Sequence, residues 1–310
     1  MIQVFHSVTA ARTALGSCVV TIGKYDGMHL GHQLILRQLK LEAAQLKIPS
    51  LVILSEPQPE EFFAGAAAPA RLNAFHDKVA FLAGFGMDAV YCLRFDQETS
   101  RKLPEDFVSQ TLVGLGMKAI VVGEDFRFGH ERKGSIATLQ QMSEAAGFTV
   151  TAVPHCLDKD ERISSTLVRN YLERGDCKRV RECLGRPYAI SGKVIAGKKL
   201  GRQLGFPTAN VHMGSNKLPL SGVFVVEVVD AGVVRQGVAS IGYNPTVSDA
   251  KQASLEVFLL DYEGDLYDSV LTVNFLHKLR NEHKYDTLAQ LQQQMALDVQ
   301  DARKFFGAGK

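Results

Sequence analysis

The chain has 310 residues, 46% of them apolar and 22% charged, with a formal net charge of +2 at pH 7. That length favours two domains, and the composition suits a globular protein able to build cores. The balanced charge argues against a nucleic-acid partner or a charged membrane surface, and no stretch approaches the roughly 20 apolar residues that span a bilayer.

The opening residues lack the basic-then-apolar pattern of a signal peptide, so none is expected. From there, short β-branched runs alternate with amphipathic stretches. Strands are predicted at 18–22, 51–54, 89–93, 119–122 and 149–153, and helices at 31–46, 71–83, 104–115 and 135–146. Pro104, Glu105 and Asp106 make a good helix start, because Pro suits the first turn and the acids its positive end. This alternation predicts an α/β doubly wound parallel sheet that binds ligands at the carboxyl ends of its strands. A helical stretch at 166–184 leads out of this part. Beyond Arg186-Pro187 glycine becomes frequent, and short strands are predicted at 188–196, 223–230, 233–240, 255–261 and 270–275. Their spacing predicts a small antiparallel β-barrel. A final helix at 287–305, with Asp286 as its N-cap, is expected to pack on the barrel without touching substrate. The domains are therefore placed at residues 1–185 and 186–310. Five scattered cysteines (Cys18, Cys92, Cys156, Cys177, Cys183) with no CxxC pair fit reduced thiols in the cytoplasm.

The first chemically informative segment, Thr21–His32, follows a strand and opens a helix. Gly23, Gly27 and Gly31 allow tight turns and let a phosphate reach free N–H groups at the helix start. His29 and His32 project to one side of the first helical turn, where imidazoles can stabilise charge growing on a transferring phosphate. Zinc ligation is the competing use, but no Cys or His partner lies nearby to complete four ligands. A His-x-Gly-His after the first strand is similar to the signature of the nucleotidyltransferase superfamily. The complement of that signature is a distal hydroxyl-rich basic segment, and Arg162–Arg169 (RISSTLVR) supplies one. By itself Ser-Ser-Thr before a helix is an ordinary N-cap.

The second segment is Gly192–Asn210. Residues 192–199 nearly spell a Walker A loop, but Lys199 stands where Ser or Thr binds the metal, and Gly and Pro follow where a helix is required. Residues 114–119 (GLGMKA) match a dinucleotide fingerprint by letters only, since they precede a strand instead of following one. What remains is a glycine-rich basic loop suited to polyphosphate. It leads to Thr208 and Asn210, which alternate on a strand, share a face and can offer oxygens to Mg2+.

Together these stretches resemble the prokaryotic bifunctional riboflavin kinase/FMN adenylyltransferases, or FAD synthetases. The family's G-x-(F/Y)-D-G-x-H-x-G-H, G-x-D-F-x-F-G and I-S-S-T-x-x-R stretches match residues 23–32, 123–129 and 163–169. Its kinase signature matches 192–210, and further segments match 240–246, 255–257 and 279–282. The resemblance implies that His29 and His32 act on the phosphate being transferred. Gly23, Asp26, Gly27, Asp125, Arg127, Ser164, Ser165, Thr166 and Arg169 would serve ATP in the adenylyltransferase site. In the kinase site the ATP residues would be Gly192, Gly197, Lys198, Gly201, Arg202, Gly205 and Pro207. Glu256 would be the general base, Thr208 and Asn210 the metal ligands, and Arg280 and Phe206 flavin contacts. Riboflavin, FMN and ATP are the implied small-molecule partners, with Mg2+ as the cation.

Three positions depart from the pattern. Gln58 replaces the His of E-P-H-P, Leu167 stands where Arg is frequent, and Ser240 stands where Asn is usual. Other readings stay open: a monofunctional riboflavin kinase whose N-terminal half only binds nucleotide, a non-catalytic flavin-binding module, and an aminoacyl-tRNA ligase sharing the histidine motif.

Overall fold

The computed structural model describes residues 2–159, 161–197, 200–214, 217–244 and 252–308, without the side chains of Leu200, Arg202, Asn244, Gln252 and Ala308. Lys198, Lys199, Pro245 and Thr246 lie outside the described residues. The chain divides into two compact units, Met1–Pro69 with Phe75–Ser164 and Ala70–Ala74 with Ser165–Lys310.

In the first unit six strands form a parallel sheet: β1 (Gln3–Phe5), β2 (Cys18–Gly23), β3 (Ser50–Glu56), β4 (Ala89–Arg94), β5 (Met117–Gly123) and β6 (Thr149–Val153). Their order is β1-β4-β3-β2-β5-β6. Val20, Ile53, Tyr91 and Ile120 enter one core, while their chain neighbours Val19, Val52, Val90 and Ala119 enter another. Strands buried on both faces need helices on both, which is why these runs are uniformly apolar. Helices Leu30–Leu46 and Phe75–Phe85 cover one face through Leu36, Leu39 and Leu82. Helices Val8–Leu15 and Ile136–Ala146 cover the other through Ala11 and Leu139. The winding reverses between β2 and β5, so the crevice beyond their carboxyl ends is the topological switch point. A short hairpin, β7 (Leu157–Asp158) and β8 (Glu161–Arg162), follows the sheet.

In the second unit helices Ser165–Arg174 and Cys177–Leu184 precede a closed antiparallel barrel. Its strands are β9 (Tyr188–Ile195), β10 (Thr208–Val211), β11 (Gly222–Asp230), β12 (Val233–Asn244), β13 (Gln252–Leu259) and β14 (Val270–Arg280). They run in the order β10-β13-β12-β11-β14-β9. Helix Leu288–Ala308 ends the fold and packs Ala302 against Val223, Val225 and Val238.

Several expectations need correction. Residues 71–74 are not helical: the carbonyls of Ala70 and Leu72 are taken by Arg169 Nε at 2.7 Å and Tyr188 Oη at 2.9 Å. The helix expected at 104–115 becomes a π-helix over Phe107–Val113 after one α-turn, and its wider turn buries Phe107, Val108, Thr111 and Leu112 together. The stretch 166–184 is two helices, broken where Gly175 takes φ 75°. Thr287, not Asp286, caps the last helix, through Gln290 N–H to Thr287 Oγ1 at 3.3 Å, while Gln290 Oε1 accepts from the N–H groups of Asp286 and Thr287. That reciprocal arrangement is a capping box legible as T-x-x-Q.

Candidate active sites

In the first unit β2 delivers Gly23 to the switch point, and the turn after it presents His29 and His32 at the start of helix Leu30–Leu46. The turn is tightly wound: Tyr25, Gly27 and Met28 have φ of 48°, 83° and 48°. Asp26 is buried, as are Tyr25 and His29. His29 is the N-cap, its Nδ1 accepting from the His32 N–H at a long 3.4 Å. An Nδ1 that accepts leaves the proton of a neutral imidazole on Nε2, so His29 can offer a donor there.

The two imidazoles stack with centroids 3.7 Å apart, and the Tyr25 ring lies 4.9 Å from that of His32. Burial, helped by the Arg162 charge, depresses His29 to about 4. Burial and the charges of His29, Lys78, Lys24 and Arg162 hold His32 well below its ordinary value. Both rings are therefore neutral at pH 7 and act as dipoles, not cations. His32 Nδ1 is buried with no hydrogen-bond partner among the described residues. A buried orphan atom of this kind marks a place where an incoming polar ligand improves the structure. Gly31 suits the position beside it, since a Cβ there would sit a tight 3.1 Å from His29 Nδ1.

Asp125 follows β5 and pairs with Arg162 at 2.7 Å. Partial burial pushes its carboxyl up, but the hydrogen bond and charge of Arg162 outweigh that and leave it below the usual range. Phe126 stacks on Phe128 at 5.4 Å, and Arg127 is exposed. Ser164 closes the first unit. Ser165, Thr166 and Arg169 open the first helix of the second, and Arg169 also holds the Ala70 carbonyl. Leu167, the departure from Arg, is buried in that helix's apolar face. Gln58 is 5% exposed, with its Nε2 buried and without a partner among the described residues.

In the second unit a cavity of about 760 Å³ opens into the barrel, lined among others by Gly197, Phe206, Thr208, Asn210, Glu256 and Arg280. Asn210 lies directly opposite Glu256 across β10 and β13, and Thr208 Oγ1 donates to Glu256 Oε2 at 3.3 Å. The strand period of two thus brings one hydroxyl, one amide and one carboxylate to a single wall. Gly197 lies on this wall, where a Cβ would fall 2.1 Å from Asn210 Nδ2. Gly201 packs under Phe206 and Thr208, and Gly205 turns the loop at φ 84° before the exposed Pro207. Phe206 meets Phe258 edge-on at 5.5 Å. Gly192 is part of β9, where a Cβ would lie 2.0 Å from the His212 carbonyl oxygen.

Sequence reasoning missed four residues, three in the barrel cavity and one in the first unit. The final helix does more than pack: its Asp298 and Met295 line the cavity, and Asp298 grips Arg280 through two hydrogen bonds of 2.8 and 2.7 Å. Glu282, recognised only as part of a motif, lines the same cavity. Burial pushes its carboxyl up; Arg280 opposes this and the charge of Glu256 adds to it. In the first unit Lys78 is fully buried near His32. The alternation at 208–210 pointed to Thr208 and Asn210, whereas nothing local marked Asp298 or Lys78 as lining residues.

A family model described as FAD synthetase matches residues 11–167, and one described as riboflavin kinase matches residues 184–306. The bifunctional riboflavin kinase/FMN adenylyltransferase of Haemophilus influenzae is 41% identical over 309 residues, covering 99% of this chain and 100% of that protein. The protein of the same name from Pseudomonas fluorescens is 46% identical over 287 residues, 92% of each. A crystal structure named as a macrolide-efflux protein from Streptococcus pneumoniae aligns with a TM-score of 0.83 at 27% identity, over 97% of this chain and 99% of that one. Efflux belongs to the name of that protein; among the described residues here no helix is long and apolar enough to cross a membrane. With both family models matched in order and full-length relatives above 40% identity, the chain belongs to the bifunctional riboflavin kinase/FMN adenylyltransferase family.

Proposed function

We propose that this chain converts riboflavin and ATP to FMN and ADP in residues 186–310, and FMN and ATP to FAD and pyrophosphate in residues 1–185. The observation that carries this reading is that each unit has its own phosphate-handling wall: the neutral His29–His32 stack on a helix N-terminus, and the Thr208–Asn210–Glu256 wall of the barrel. They suit different bonds. Neutral donors beside a helix start stabilise charge on an α-phosphate as pyrophosphate leaves. A carboxylate beside hydroxyl and amide oxygens suits deprotonation of an alcohol that attacks a γ-phosphate.

In the adenylyltransferase site Gly23, Asp26 and Gly27 shape the turn, and Asp125 and Arg127 form part of the wall. Ser164, Ser165, Thr166 and Arg169 hold the β- and γ-phosphates; their part rests on the sequence pattern. In the kinase site Glu256 takes the proton of the ribityl hydroxyl, and its bond from Thr208 orients the carboxylate. Phe206 and Arg280 border the flavin. The Thr208 hydroxyl and the Asn210 amide oxygen are uncharged oxygen donors beside the Glu256 carboxylate, as suits Mg2+ shared with nucleotide phosphates. When bound, Mg2+ would supply charge neutralisation for those phosphates. We place the protein in the cytoplasm, in line with its five free cysteines.

An HPLC time course of riboflavin with Mg-ATP tests the whole reading: FMN should rise first and FAD after it. A chain that stops at FMN, releasing no pyrophosphate when FMN is supplied directly, would be a monofunctional riboflavin kinase. One that leaves riboflavin unchanged would be a binding module.

A further inference from the structure

Helix Phe75–Phe85 lays Leu82 into the core beside the sheet, and one turn earlier the same face carries Lys78, only 1% exposed. An ammonium in that position is costly to desolvate unless it is engaged. Its Nζ donates to the Lys24 backbone carbonyl at 2.9 Å. That carbonyl opens the turn in which Tyr25, Gly27 and Met28 take positive φ before the chain reaches His29. Tyr25 braces the same turn, with its hydroxyl 2.7 Å from Thr21 Oγ1 and its ring against His32. A buried donor thus fixes the strained turn that carries the histidines.

We propose that Lys78 is a positioning residue for adenylyl transfer: its ammonium ties the Lys24–Met28 turn to the helix beneath it and sets a fixed positive charge beside His32. The role rests on the adenylyltransferase reading above. The groups facing His32 are His29, Lys78, Lys24, Arg162 and Tyr25. Lys24 and Arg162 are nearly half exposed and screened by water, whereas Lys78 is enclosed. Lys78 is therefore the cation best placed to keep His32 a neutral hydrogen-bonding group.

The test uses the full chain with Lys78→Met, which keeps the length without charge, and Lys78→Arg, which keeps the charge. Histidine NMR titration reads the His32 midpoint, and initial rates with FMN plus ATP are measured from pH 5 to 9. Lys78→Met should raise the His32 midpoint by about one unit or more, shift the acid limb of the rate profile upward with it, and lower kcat about tenfold. Lys78→Arg should restore the midpoint and most of kcat. An unmoved midpoint and profile in Lys78→Met overturns the proposal, as does a Lys78→Arg protein whose midpoint rises. Should Lys78→Met fail to fold, the Lys78→Arg midpoint decides alone. Wild type that makes no FAD from FMN refutes the adenylyltransferase reading instead, and the titration still reports on Lys78.

Discussion

The rings of His29 and His32 stack 3.7 Å apart on the first turn of one helix, and burial keeps both uncharged. The pair is tied to the helix start: the Nδ1 of His29 accepts from the backbone N–H of His32, and Gly31 between them has no side chain to crowd the His29 ring. Positioned donors at a site of developing charge contribute more than mobile ones, because no reorganisation is needed as the reaction proceeds.

Replacing His29 or His32 by Ala should therefore lower FAD formation from FMN by about 100-fold or more. FMN formation from riboflavin in the same sample should stay unchanged, since the proposed kinase wall lies in the barrel. Separate HPLC assays check this, and parallel loss of both activities would refute independent sites.

The same histidines make the protein sensitive to acid. In the unfolded chain His29 titrates near 6.5, and in the folded protein near 4. Between those values the unfolded state binds the extra proton, so stability falls as pH drops through that window and is unaffected above it. The full slope is about 1.4 kcal/mol per pH unit for each such group. Thermal melts at pH 7, 6 and 5 should show wild type losing more Tm than His29→Gln. Equal losses in the two proteins would remove His29 as the source.

How much of this was legible beforehand follows from the range of each signal. The alternation of short strands with amphipathic helices announced a parallel sheet covered on both faces, and the Thr208-x-Asn210 alternation announced a shared face. Residues 71–74 read as helix because their periodicity is local, whereas the groups that capture their carbonyls, Arg169 and Tyr188, lie about a hundred residues away. Lys78 and Asp298 were illegible for the same reason: a lysine or aspartate on an amphipathic helix normally faces water, and only tertiary packing turns these two inward. The first strand and helix, Gln3–Phe5 and Val8–Leu15, are short enough that no periodicity stood out.

Glu256→Gln should abolish riboflavin phosphorylation while FMN supplied directly is still adenylylated. Gln keeps the size and still accepts from Thr208 but cannot take a proton. Riboflavin binding, followed by fluorescence, should survive. Retained kinase turnover in this variant would assign the proton to another group.

Asp298 lines the kinase cavity from the final helix. Its carboxylate is 7% exposed and binds Arg280 through both oxygens, while Gln294 Nε2 supports one of them at 3.0 Å. The pair fastens the final helix to β14 at the point where both border the kinase cavity. Removing the acid leaves a guanidinium 23% exposed, next to Glu282, with which it can re-pair. Asp298→Ala should therefore cost less than a sealed ion pair, about 2 kcal/mol, and should act mainly on binding. Arg280 would swing toward Glu282, the cavity wall would loosen, and KM for riboflavin should rise about tenfold with a smaller change in kcat. Adenylylation of FMN should not change. An altered kcat at constant KM would place Arg280 on the transferring phosphate and not beside the flavin.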